Sequence, residues 1–270
     1  MPLPETDREH YRRNPLAEVA SLLRFPAILR IESEPPAQFQ DAIRNAYPLY
    51  RQIMAAGQLP PDVPAPVRNL IQGIGAAAGP LQHVFEAQDK TWSIALWREG
   101  LVLKTTAYTR WEEFRNRTGR LRDTFVSLYR PASFTQIGLR YVDIVRRSVL
   151  FPPNDLPPWS ELLKPQIAGE LAAAEFGENI DSMSRQLHCA LGGENCFLTL
   201  KTGIARAEAG VQDGVREKCF LIDSDFHTHR PTELANVTAT LNTFNRAAGN
   251  LFRWAILPRL RQALQPQPLE

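Results

Sequence analysis

The sequence predicts an α+β protein made of two pseudo-repeated halves, residues 14–131 and 132–264. Each half is expected to pack a mainly antiparallel sheet against a long helix. Three observations carry this. Residues 92–145 read as a strand hairpin, a helix and a returning strand. Two stretches, following residues 109 and 231, carry apolar residues at helical spacing. The order strand, helix, three strands, helix over residues 18–130 recurs over residues 134–264. No residue-level repeat accompanies that order, so one α+β domain with an accidental likeness is the alternative.

Residues 92–145 are the clearest part. Trp92, Ile94 and Leu96 alternate onto one strand face. Arg98-Glu99-Gly100 makes a turn, and residues 101–108, rich in Val, Leu, Thr and Tyr, make the partner strand. Thr109 precedes Glu112 by three residues, the spacing of a capping box, and predicts a helix start. Trp111, Phe114, Leu121, Phe125 and Leu128 recur at spacings of three, four or seven and form one apolar face. Pro131 ends the helix. Residues 134–145 return as a strand, with Ile137, Leu139, Tyr141 and Val145 on one face.

Before this stretch, residues 1–13 read as a flexible arm. Residues 18–25 read as the first strand, with 29–31 extending it past Pro26. Residues 37–54 read as a helix with Phe39, Ile43, Ala46 and Tyr50 on one face, interrupted at Pro48. Residues 58–80, rich in Pro and then in Gly and Ala, read as a linker with a short helix over 67–74, and residues 82–87 as a short strand. After the organising stretch, Pro-rich residues 151–158 lead into a helix over 159–176. A hairpin follows, with strands 180–191 and 196–205 around Gly192-Gly193, and then a strand over 218–226. Thr232 is placed to cap a long helix. Leu234, Val237, Leu241, Phe244, Ala248, Leu251 and Ala255 stripe that helix, and Pro258 kinks it. Residues 265–270 read as a flexible tail.

Composition excludes several classes. With 270 residues and 44% hydrophobic content the chain can build a sizeable core, and its net charge of +2 gives no field that demands nucleic acid or membrane. The first 13 residues lack the apolar core of a signal peptide, and no run approaches the roughly 20 apolar residues that span a bilayer. A cytoplasmic protein is the expectation. Cys189, Cys196 and Cys219 are odd in number, lack Cys-x-x-Cys spacing, and read as buried reduced thiols. No phosphate-binding loop, G-x-G-x-x-G turn or G-x-S-x-G elbow occurs.

Three constellations can carry chemistry. Asp223, Asp225, His227 and His229 alternate, so a continuous strand would present all four on one face. Two carboxylates and two imidazoles suit a divalent transition metal able to activate water. The competing reading is a strand end whose carboxylates serve a turn and a helix start. Arg140 lies beside Gly138 on the opposite strand face from Leu139 and Tyr141. It reads either as a fork for a carboxylate or phosphate, or as the ion-pair partner of Glu18 or of an Asp within the sheet. Arg110, Arg115, Arg117, Arg120 and Arg122 make the first long helix basic, and Arg12, Arg13, Arg146 and Arg147 add to the positive residues. The readings are a nucleic-acid surface, or a solvated face whose charges pair with Glu112, Glu113 and Asp123.

Several signatures recur together: Asn14-Pro15 with Glu18, Leu23-Arg24-Phe25, Thr106-x-Tyr108 with Trp111 and Phe114, and Ile137-Gly138-Leu139-Arg140-Tyr141. Leu221-Ile222-Asp223-Ser224-Asp225 and the helix residues Phe244 and Phe252 complete the set. From about residue 14 to about residue 264 the chain resembles a bacterial family described as sporadically distributed and of unknown function. Where that family usually carries Asn, this chain has Asp143. The family carries no reaction, cofactor or catalytic residue. Its patchy distribution implies horizontally moved genes of the defence or toxin–antitoxin kind. The leading expectation is therefore a non-enzymatic protein that binds another protein, such as one encoded nearby, as an antitoxin, sensor or specificity subunit. Arg140, Asp143, Arg115 and Arg122 are its candidate contacts, and it has no cofactor. The alternatives are a metal-dependent hydrolase or nuclease at Asp223, Asp225, His227 and His229, and a nucleic-acid binder using the basic helix.

Overall fold

A computed structural model describes residues 3–54, 81–173, 175, 177–192, 195–208 and 216–268. In chain order the elements begin with β1 (Glu9–Tyr11), β2 (Leu16–Arg24), α1 (Arg30–Ser33), α2 (Ala37–Ile43), β3 (Leu49–Met54), β4 (Leu81–Glu86), β5 (Trp92–Trp97) and β6 (Gly100–Thr105). They continue with α3 (Trp111–Tyr129), β7 (Gln136–Arg146), α4 (Arg147–Leu150), α5 (Pro165–Ala168), β8 (Met183–Ala190), β9 (Phe197–Glu208) and β10 (Arg216–His227). The last are α6 (Val237–Ala255), α7 (Pro258–Ala263) and β11 (Pro266–Pro268). The fold is α+β, with antiparallel strand pairing and helices packed on the sheet.

The chain forms two compact units, and each draws residues from both expected halves. One comprises Glu18–Arg140 and Phe226–Asn245. The other comprises Met1–Ala17, Tyr141–Asp225 and Arg246–Glu270.

In the first unit the strand order is β3-β4-β5-β6-β2, followed by residues 136–140 of β7. Phe85 faces Ile94, Trp92 faces Thr105 and Leu23 faces Leu101 across antiparallel pairs. The alternation predicted for β5 holds: Trp92, Ile94 and Leu96 are buried. The helix α3 covers this sheet with the predicted stripe. Phe125 stacks on Phe25 at 4.5 Å and Phe114 on Trp92 at 5.9 Å, pairs that each add about 0.5–1.5 kcal/mol beyond their buried area. Trp111 is buried, and its indole N–H donates to Asn242 Oδ1 at 2.9 Å, which ties α3 to α6.

The second unit orders residues 141–146 of β7, then β10, β9 and β8. β8 and β9 pair antiparallel from Met183↔Ile204 to Ala190↔Phe197. Trp159 and Phe220 fill the core beside this sheet, ring centroids 5.6 Å apart.

Several expectations are corrected. Residues 49–54 form a strand, not the end of a helix. Pro48 cannot continue the helical ladder, α2 stops at Ile43, and the freed segment pairs fully with β4. Residues 30–33 form a helical turn instead of extending the first strand. Thr109 does not cap α3: its hydroxyl donates to Glu113 Oε2 at 2.7 Å, and Arg110 is the N-cap residue without a side-chain cap. The helix expected over 159–176 breaks into short turns, because Pro165 begins one and Gly169, at φ 57°, ends it. The long helix starts at Val237 after a 3-10 turn over Leu234–Asn236, since Thr232 is held in a bridge to Phe134. Within the arm and tail expected to be flexible, residues 9–11 pair with residues 266–268 as β1 and β11, Tyr11 opposite Pro266, and Arg261 engages Glu9. The linker expected over 58–80 and its helix over 67–74 lie outside the described residues.

Candidate functional site

In β7, residues 137–143 are buried on both faces, as befits a central strand. Two ionisable side chains sit in that run. Arg140 is 6% exposed and is engaged within the chain. Glu18, one of its expected partners, accepts from Lys104 Nζ at 3.1 Å. A buried guanidinium needs internal partners to offset its lost hydration. Asp143 lies on the other face of β7. It is buried together with Asp223 of β10 in the same unit. Loss of solvent, and after it proximity to Asp223, together raise the Asp143 carboxyl to about 7. Sequence reasoning named both residues but not their coupling, because pairing across two strands is invisible in linear spacing.

β10 runs on to His227, so Asp223, Asp225 and His227 do alternate on one strand. Their environments differ. Asp223 is buried, Asp225 and His227 are half-buried, and His229 is exposed beyond the strand end. Among the described residues no three His, Cys, Asp or Glu side chains are placed to hold one ion. The two imidazoles do come together, Nε2 to Nε2 at 3.0 Å.

The basic face of α3 divides. Arg117 lies over the Trp92 ring at 4.2 Å and pairs with Glu113 at 3.0 Å. Arg122 donates to Asp123 at 2.7 Å and to Thr238 Oγ1 at 2.8 Å. These two serve the fold. Arg115 and Arg120 make no ion pair among the described residues and remain available to a partner. Arg147, counted with them in sequence, pairs with Glu178 and stacks on Trp159 in the other unit. A cavity of about 490 Å³ opens at the carbonyl end of α3, lined by Arg30, Gln38, Tyr129 and Arg130 among others. Arg30 already donates to Leu128 O there at 2.8 Å, and a helix carbonyl end disfavours anions.

β8 was not singled out by sequence. It ends the strand order, pairs only with β9 among the described residues, and has no buried residue along its length. Leu187 at its centre is 43% exposed. Gln186 Nε2 and His188 Nε2 lie 2.7 Å apart, and His188 Nδ1 lies 3.1 Å from Thr199 Oγ1, so the polar side is internally linked. Arg185, the strand's one charged side chain, donates to Gln166 O. The absence of Pro, Lys or acidic residues in this strand is the signal that could have marked it. Of the cysteines, only Cys219 is buried, while Cys189 and Cys196 are half-buried; all three are free thiols.

No family model matches the chain, and no curated protein matches it. No helix among the described residues is long and apolar enough to cross a membrane.

Proposed function

We propose that this chain is a non-enzymatic binding protein that docks another protein along β8, working as an antitoxin, sensor or specificity subunit in a bacterial conflict system. The observation that supports this reading is the edge of β8, which pairs only with β9 among the described residues: eight residues, none buried, with Leu187 open at the centre. Such an edge offers a row of main-chain donors and acceptors to an incoming strand. Arg185, which donates to Gln166 O, is the one charged side chain of the strand. The edge suits an extended segment with an apolar residue set against Leu187.

The test is affinity purification of the full chain from its native host, with the wild type and Leu187→Lys in parallel. A lysine on the edge blocks strand addition, and at an exposed site it leaves the fold intact. One protein recovered in stoichiometric amount with the wild type and lost with the variant is the expected result. Equal recovery with both would move the contact elsewhere, and no specific protein with either would overturn the reading.

A further inference from the structure

The last two members of the four-residue set expected from sequence, His227 and His229, come together in the structure. His227 and His229 flank Thr228, and Thr228 is pinned on both sides. Its amide donates to Ile137 O at 2.9 Å, and its hydroxyl accepts from the Ile137 amide at 2.9 Å. Thr228 is 2% exposed. The two neighbours of this anchored residue come to the same side, as the contact between their rings shows. The rings stack with centroids 5.0 Å apart and planes 25° from parallel, and the two Nε2 atoms are 3.0 Å apart.

That separation is hydrogen-bond length, one ring donating to the other, and it is also close to a metal chord, so a metal would bind in place of the proton between the rings. At a metal–nitrogen distance of about 2.0–2.1 Å, two nitrogens in cis positions at a right angle lie about 2.9 Å apart, and two tetrahedral ones about 3.4 Å apart. The observed 3.0 Å lies close to the right-angled value. Square-planar and tetragonal coordination by nitrogen is the preference of Cu(II) and Ni(II). We infer that His227 and His229 form a two-imidazole site for Cu(II) or Ni(II), with the remaining positions left to water or to a donor from another molecule. The buried Asp223 is not a ligand. The site is independent of the docking edge on β8.

The test is titration of the full chain with Cu(II), read by electron paramagnetic resonance, and with Ni(II), read by calorimetry. One equivalent of Cu(II) with hyperfine structure from two equatorial nitrogens is expected. His227→Ala or His229→Ala alone breaks the chelate and weakens binding at least tenfold. Asp223→Asn and Asp225→Asn keep both the stoichiometry and the nitrogen signature. Circular dichroism verifies that the histidine variants fold. Unchanged binding in the double histidine variant would overturn the site. Loss of the signal in Asp223→Asn or Asp225→Asn would overturn it as well, in favour of a centre that includes carboxylates.

Discussion

Replacing Asp143 with Asn removes one ionisable group and almost no volume. In the folded protein burial and, second to it, nearby Asp223 together raise the Asp143 carboxyl from its ordinary 3.8 to about 7. The folded state therefore holds this proton more tightly than the unfolded chain does. The stability so contributed is complete below about pH 4. It falls as the unfolded chain gives up its proton, and it is gone once pH passes through about 7. At about 1.4 kcal/mol per tenfold change in proton affinity, the whole loss comes to about 4 kcal/mol. Of this, about 2.5 kcal/mol falls between about pH 5 and about pH 8.5. The Asp143→Asn variant has no such loss. Urea unfolding of wild type and variant at both pH values measures it, and subtraction cancels the shared groups that do not touch position 143. The variant is expected to gain about 2.5 kcal/mol on the wild type as pH rises over that span. A difference that stays constant with pH, or that moves in the wild type's favour, would refute the buried-pair reasoning.

Asn242→Leu leaves the buried Trp111 N–H without its acceptor and is expected to cost about 1–3 kcal/mol, read as a lower urea midpoint. At Gly203 an added Cβ would meet the Met183 carbonyl oxygen at 2.1 Å, and backbone cannot swing aside as a side chain can. Gly203→Ala should therefore strip hydrogen-exchange protection from the β8–β9 hairpin while the β2–β6 ladder keeps its own. Arg117→Ala removes a stacked cation and an ion pair and should cost about 1 kcal/mol, whereas Arg115→Ala should stay within about 0.5 kcal/mol. Equal costs in urea unfolding would contradict the division of the α3 face.

What the sequence made legible was local and periodic. The stripe of α3, the β5–β6 hairpin and the apolar positions of α6 all follow from spacing that a single element imposes on itself. Residues 49–54 were misread because Tyr50 continues the helical spacing of Phe39 and Ile43 across Pro48, and only pairing with β4 decides the matter. Thr232 looked like a cap because its bridge partner, Phe134, is about a hundred residues away. The candidate site divides in the same manner. The alternation of Asp223, Asp225 and His227 was readable, but burial, which separates Asp223 from His229, belongs to the tertiary structure. The edge position of β8 is a property of sheet order and has no local signature beyond missing charges.

The central claim is that β8 receives a strand from another protein. Hydrogen–deuterium exchange on the complex purified from the native host, compared with the chain alone, tests it most directly. The account predicts that amides of residues 183–190 slow on binding, with the largest gain around Leu187. Protection confined to other segments, such as the exposed face of α3 around Arg115 and Arg120, would contradict it.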